Sequence, residues 1–154
     1  MQDLIDTTNM LVKKYKVNPN LIEIELTETA NYEEYQIMVG VFLKMQELGY
    51  HTSIDDFGTG YSSLTLLKKL DVDILKLDRS FLWELQEEKD TTKERILIKN
   101  IIRMANELGL TVLAEGVETT SQRDFLIESG CNLAQGFLYA KPMRKEEFEK
   151  RVFA

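Results

Sequence analysis

What most constrains this chain is an alternation that runs along its whole length. Short β-rich runs are each followed by a longer stretch with helical periodicity. Residues 1–17 read as a helix, with Leu4, Ile5, Met10 and Leu11 at turn-like spacing, ended by Asn18, Pro19 and Asn20. Strands are expected at 21–26, 51–55, 73–78, 111–116 and 133–137. Helices are expected at about 32–48, 62–70, 93–108, 121–128 and 145–152. Gly49, Gly109 and Gly130 stand where three of these helices must stop. A polar, charged connection fills 86–93.

Strands that each feed a helix argue for right-handed βαβ units and a parallel sheet, hence an α/β fold. A doubly wound sheet and a barrel both fit the alternation. The polar residues favour the barrel. Each strand carries charged or amide residues towards its C-terminal end: Glu25 and Glu28, Asp55 and Asp56, Lys76 and Asp78, Glu115 and Glu118, and Gln135. A TIM barrel builds its active site from the C-terminal ends of several strands, whereas a doubly wound sheet concentrates it at one switch point. The expected fold is therefore a TIM-like (β/α) barrel, incomplete, with about five of the eight strand–helix units. Three further units of roughly 30 residues would bring the total close to the ~250 typical of that fold. Residues 1–154 are thus expected to form the C-terminal part of a single barrel domain.

Charge narrows the partners. Acidic residues outnumber basic ones 26 to 19, a formal net charge of −7. Duplex nucleic acid needs a basic footprint, which this balance does not provide. A phosphate ligand remains compatible if metal ions or local donors meet it. The single cysteine, Cys131, excludes an internal disulfide framework and a cysteine zinc site, and suits a reducing cytoplasm. No apolar run approaches the roughly 20 residues of a membrane span, and no signal peptide is expected at the N-terminus.

The acids fall into three clusters at strand ends: Glu25 with Glu28, Asp55 with Asp56, and Glu115 with Glu118. If those strands are neighbours, several carboxylates converge, and like charges there disfavour ionisation unless cations relieve them. Oxygen-only ligands, with His51 poorly placed, point to Mg²⁺ or Mn²⁺ rather than zinc. Two such ions about 3.5–4 Å apart make a site for in-line attack on a phosphodiester. Adjacent aspartates give one residue to bridge the ions and one to bind a single ion. Lys76 adds a positive charge that can hold the attacking water or neutralise the transition state. The glycines of the FGTG turn would let the loop after Asp56 bend and move.

The segments ELTE, DDFGTGYSSL, LKLDRSF, AEGVET and QGFLYAKP, in this order, resemble the EAL-domain family of cyclic-di-GMP phosphodiesterases. The likeness runs from about Leu21 to Pro142. It implies a TIM-like barrel that hydrolyses cyclic di-GMP to linear pGpG with two Mg²⁺ or Mn²⁺ ions. By the same resemblance Glu25 is a ligand of the first metal, Asp55 bridges, and Asp56 binds the second. Lys76 positions the nucleophilic water, and Glu115 binds or orients it. Glu118 and Gln135 take supporting places in the pocket, with capping as the alternative. Glu28 steadies the DDFGTG loop, and Asp78 either caps a helix or contacts a guanine. The loop after Asp56 and the helix beyond it resemble the dimerising part of the family.

Two features of the family are absent. The Glu-Ala-Leu strand, with its metal-binding glutamate and nearby arginine, is not in the chain, nor is an asparagine ligand from a strand before ELTE. Both belong to the units that the strand count finds lacking. The expectation is a phosphodiesterase domain in its intact form and an inactive or very weak fragment here. The alternative is a non-catalytic cyclic-di-GMP-binding or dimerisation module. Open strand edges further predict self-association.

Overall fold

A computed structural model of the chain describes residues 2–27, 32–58, 63–83, 85, 92–131 and 133–153. Helix α1 (Gln2–Tyr15) and a short 3₁₀ turn (Pro19–Leu21) lead into β1 (Glu23–Thr27). Then follow α2 (Tyr32–Glu47), β2 (His51–Phe57), α3 (Ser63–Lys69), β3 (Ile74–Leu77), α4 (Ser80–Trp83) and α5 (Thr92–Glu107). β4 (Thr111–Ala114), α6 (Thr120–Glu128), β5 (Leu133–Ala134) and α7 (Lys145–Phe153) complete the chain. Each strand expected from the sequence forms, within a few residues. The exception in length is β5, which stops at Ala134, so Gln135 lies just past its end. The four-residue α4 is too short to leave a periodic signal and was not expected. Gly49, Gly109 and Gly130 have φ of +86°, +80° and +86°, the left-handed turn that ends a helix.

All strand pairs are parallel, and the spatial order β1-β2-β3-β4-β5 is the chain order. A doubly wound sheet reverses its strand order at a switch point. This one never reverses, which is the winding of a barrel wall. Alternation within the strands sends the two faces to different fates. Leu26, Ile54, Leu75, Leu77, Val112 and Ala114 enter the main core. There they join helical Leu82, Ile98, Ile102, Phe125 and Leu126. A smaller core of Ile5, Val12, Met45 and Tyr50 seats α1 on α2 and the start of β2. The opposite face, through the register Glu25–Ser53–Ile74 and Lys76–Leu113–Leu133, carries the charged residues. Among the described residues β1 and β5 each pair on one side only.

The turn after β4 is locked by Gln122, which sequence reading did not single out. Its Oε1 accepts from the backbone N–H groups of Glu118 (2.8 Å) and Thr119 (3.0 Å). The Gln122 N–H donates to Thr119 Oγ1 at 3.2 Å, which closes a capping box at the start of α6. Its Nε2 donates to Leu82 O at 2.9 Å and ties this turn to α4. The side chain is buried. Replacing Gln122 with leucine should therefore cost about 2–3 kcal/mol, because several buried polar groups lose their partner at once. A thermal melt that falls by no more than that of a surface control would contradict this.

Candidate metal and phosphate site

The charged face converges on Lys76, the third residue of β3. Leu75 and Leu77 on either side of it enter the core, so the strand's alternation turns Lys76 the other way. Its Nζ lies 2.8 Å from Glu25 Oε1, 2.9 Å from Asp55 Oδ1 and 2.9 Å from Glu115 Oε1. These carboxylates come from β1, from β2 and from the residue after β4, so four strands contribute to one cluster. Only 8% of the Lys76 side chain is exposed. Burial pulls the Lys76 ammonium down. The hydrogen bonds to Glu25, Asp55 and Glu115 outweigh it and hold the group well above the usual lysine value. The three carboxylates around Lys76 thus favour its charged form.

Asp55 and Asp56 are neighbours on one strand and would ordinarily point to opposite faces. Two local features bring them together. Ile54 pairs with Leu75 and Phe57 with Leu77, so β2 spends one extra residue against β3 in a bulge. Asp56 adopts φ of +51°, a left-handed conformation uncommon outside glycine. As a result Asp55, Asp56 and Glu115 each offer a carboxylate oxygen, all within 4.8 Å of one another. Burial pushes the Asp56 carboxyl up, and the charges of Asp55 and Asp78 add to this against Lys76 and Arg79. Asp55 Oδ1 is buried, and among the described residues its polar contact is the Lys76 ammonium at 2.9 Å. Among the described residues this cluster offers carboxylate oxygens alone, the ligand chemistry of a hard divalent cation.

The other expected residues sit around this centre. Gln135 Nε2 donates to Glu115 Oε1 at 2.8 Å and steadies it. Glu118 is exposed and stands outside the carboxylate group, on the rim of an adjoining groove. Asp78 Oδ1 accepts from the Ser80 N–H at 2.9 Å at the start of α4. Burial raises the Asp78 carboxyl, but its hydrogen bonds to Ser80 and Arg79 and the Arg79 charge hold it below the usual value. His51 lies at the other end of β2, 3.4 Å from Asp73. Glu28 and the Thr59–Gly60 part of the loop fall outside the described residues, as does most of the charged connection at 86–93.

The adjoining groove holds about 800 Å³ and is lined among others by Arg79, Trp83, Glu115, Glu118, Gln135 and Lys141. The Arg79 guanidinium lies over the Trp83 ring, 4.8 Å from its centroid. Lys141 Nζ is 5.4 Å from the centroid of Phe137. The groove thus couples cations and aromatic faces to the carboxylate mouth through Glu115. Sequence reading passed over Arg79, Trp83 and Lys141. The available signal was an arginine directly after the acidic end of β3, in a chain short of basic residues.

The family model described as EAL domain matches residues 1–142. The probable cyclic di-GMP phosphodiesterase PdeB of Escherichia coli K12 is 40% identical over 138 residues, which is 90% of this chain and 25% of that protein. A solved structure described as PaMucR phosphodiesterase in a c-di-GMP complex superposes with a TM-score of 0.85 at 35% identity. The match covers 95% of this chain and 58% of that one. The crystal structure of the EAL domain of Mycobacterium smegmatis DcpA gives 0.88 at 33% identity, covering 97% of this chain and 66% of that one. The chain spans a quarter or less of the curated relatives it matches.

Proposed function

Because the chain belongs to the EAL domain family, we propose that it supplies the metal-holding wall of a site that hydrolyses cyclic di-GMP to pGpG. The observation that carries this reading is the convergence of Glu25, Asp55 and Glu115 on Lys76, with Asp56 brought alongside by the bulge. Glu25, Asp55 and Asp56 are the residues to hold two Mg²⁺ or Mn²⁺ ions. Such ions, when bound, neutralise phosphate oxygens and make an attacking water more acidic. Lys76 contributes a permanent charge that orients the water. Glu115, held by Gln135, accepts a hydrogen bond from that water and fixes its approach. Arg79 and Lys141 attract the phosphates, and the aromatic faces of Trp83 and Phe137 suit purine stacking. In this reading Glu28 supports the loop after Asp56, Glu118 borders the groove and Asp78 shapes the turn beneath Arg79.

Residues 1–154 form the C-terminal part of one barrel domain in this proposal, and further ligands come from strands beyond β1. The chain by itself should bind cyclic di-GMP but turn it over far below about 1 s⁻¹, a rate ordinary for enzymes. Incubation with Mn²⁺ and chromatography of the nucleotides tests this. Turnover at or above that rate would refute the need for more ligands. No binding at all, with or without metal, would refute the assignment. Metal-independent binding without product favours a receptor or dimerisation module, a reading for which the cationic, aromatic groove speaks on its own.

Ile74, Leu113 and Leu133 lie on the sheet face opposite the main core, and Leu133 is exposed. The chain should therefore form homo-oligomers through this face, the strand edges and the loop after Asp56. A monodisperse monomer in light scattering would oppose that. Among the described residues no helix is long and apolar enough to cross a membrane. A cytoplasmic location suits a nucleotide substrate and the buried free thiol of Cys131.

A further inference from the structure

Lys76 stands in an unusual place for a residue that only orients water. Its ammonium is within 2.9 Å of three carboxylates at once, two of which (Glu25 and Asp55) are assigned to the metals. We propose that Lys76 is the site's own stand-in cation: it neutralises the carboxylate cluster until divalent ions arrive, withdraws when they bind, and so sets the metal affinity. This rests on the metal-binding reading of the same cluster.

Two effects of Lys76 on a metal oppose each other. Its positive charge repels a divalent ion a few ångströms away, strongly in a poorly solvated site. It also gathers the carboxylates, which would favour binding. The structure decides between them. Asp55 and Glu115 side chains are only 17% and 18% exposed, and their backbones are fixed in or beside parallel ladders. Glu115 is further held by Gln135. Glu25, with 46% of its side chain exposed, can swing away when Lys76 is removed, but Asp55 and Glu115 have little room to splay, so the gathering effect is small and the repulsion dominates. Without Lys76, moreover, Asp55 Oδ1 loses the ammonium contact that it makes among the described residues, and a divalent ion restores a positive charge beside it.

The test is Mn²⁺ binding to the full chain, followed by the loss of the free-ion signal in electron paramagnetic resonance. Three proteins are compared: the unaltered chain, Lys76→Met and Asp55→Asn. Lys76→Met should bind Mn²⁺ about tenfold more tightly than the unaltered chain, and Asp55→Asn should bind it more weakly. Equal or weaker binding by Lys76→Met, with Asp55→Asn still defective, overturns the stand-in role and leaves the metal site intact. Absence of saturable binding in all three overturns the metal reading itself.

Lys76→Met can fail to fold without metal, so a second measurement uses the unaltered chain. Acylation of Lys76 by an amine reagent, mapped by mass spectrometry, should be slow in the metal-free chain and rise severalfold with saturating Mg²⁺. The surface residue Lys145 serves as the internal standard. A Lys76 rate that does not change on saturation shows that the ammonium stays in place and defeats the proposal.

Discussion

If the chain acts as proposed, Asp55→Asn in the whole protein should lower cyclic-di-GMP hydrolysis on the order of a thousandfold or more, since a charged group central to the proposed metal and phosphate site is lost. The substitution changes one oxygen to an amide and removes one charge. Glu25 and Glu115 still pair with Lys76, so the sheet keeps its register and the melting temperature should change little. The effect is expected to be large because Asp55 touches both halves of the cluster. It contacts Lys76 at 2.9 Å and also lies with Asp56 and Glu115 in the group of converging oxygens. Nucleotide chromatography under saturating Mn²⁺ measures the rate. Activity within tenfold of the unaltered protein would remove Asp55 from the centre of the site.

The second large effect concerns folding. An alanine at Gly136 would put its Cβ 2.2 Å from Val117 O and 2.3 Å from Val117 N. Those are backbone atoms, already engaged: the Val117 N–H donates to Gln135 O and Val117 O accepts from the Leu138 N–H, each at 3.0 Å. Neither can move without breaking the junction between the ends of β4 and β5. Gly136→Ala should cost about 3 kcal/mol or more, or about 10 °C in melting temperature for a chain of this size. Gly109→Ala is the contrast. Its Cβ would meet nothing within 4 Å, so only the left-handed turn at φ of +80° opposes the substitution. That should cost about 1 kcal/mol. If the two variants melt alike, the close approach at Gly136 is not what holds the junction.

The same junction explains a difference between expectation and structure. The apolar pattern predicts a strand through Phe137, yet the ladder ends at Ala134. Pattern alone cannot register that the chain after Ala134 turns to press Gly136 on Val117. The bulge in β2 is a similar case. The sequence shows adjacent aspartates but not that an extra residue and a left-handed Asp56 would aim both at one mouth. Gln122 leaves no signal in the pattern because its partners are backbone groups: Glu118 and Thr119 in the turn just before it, and Leu82 in another helix forty residues away. Glu118 shares its spacing motif with Glu115, but the turn at Gly116 carries it out to the groove.

By itself the sequence determined the five strands and the longer helices, their order, and which residue types crowd the strands' C-terminal ends. Those depend on side-chain periodicity and helix-stopping glycines, which act over a few residues. Only the tertiary structure decided that the sheet never reverses its order and that four strands deliver their charges to a single lysine. Convergence is a matter of register between strands 20 to 50 residues apart, set by helices packing on one face, and no local pattern encodes it.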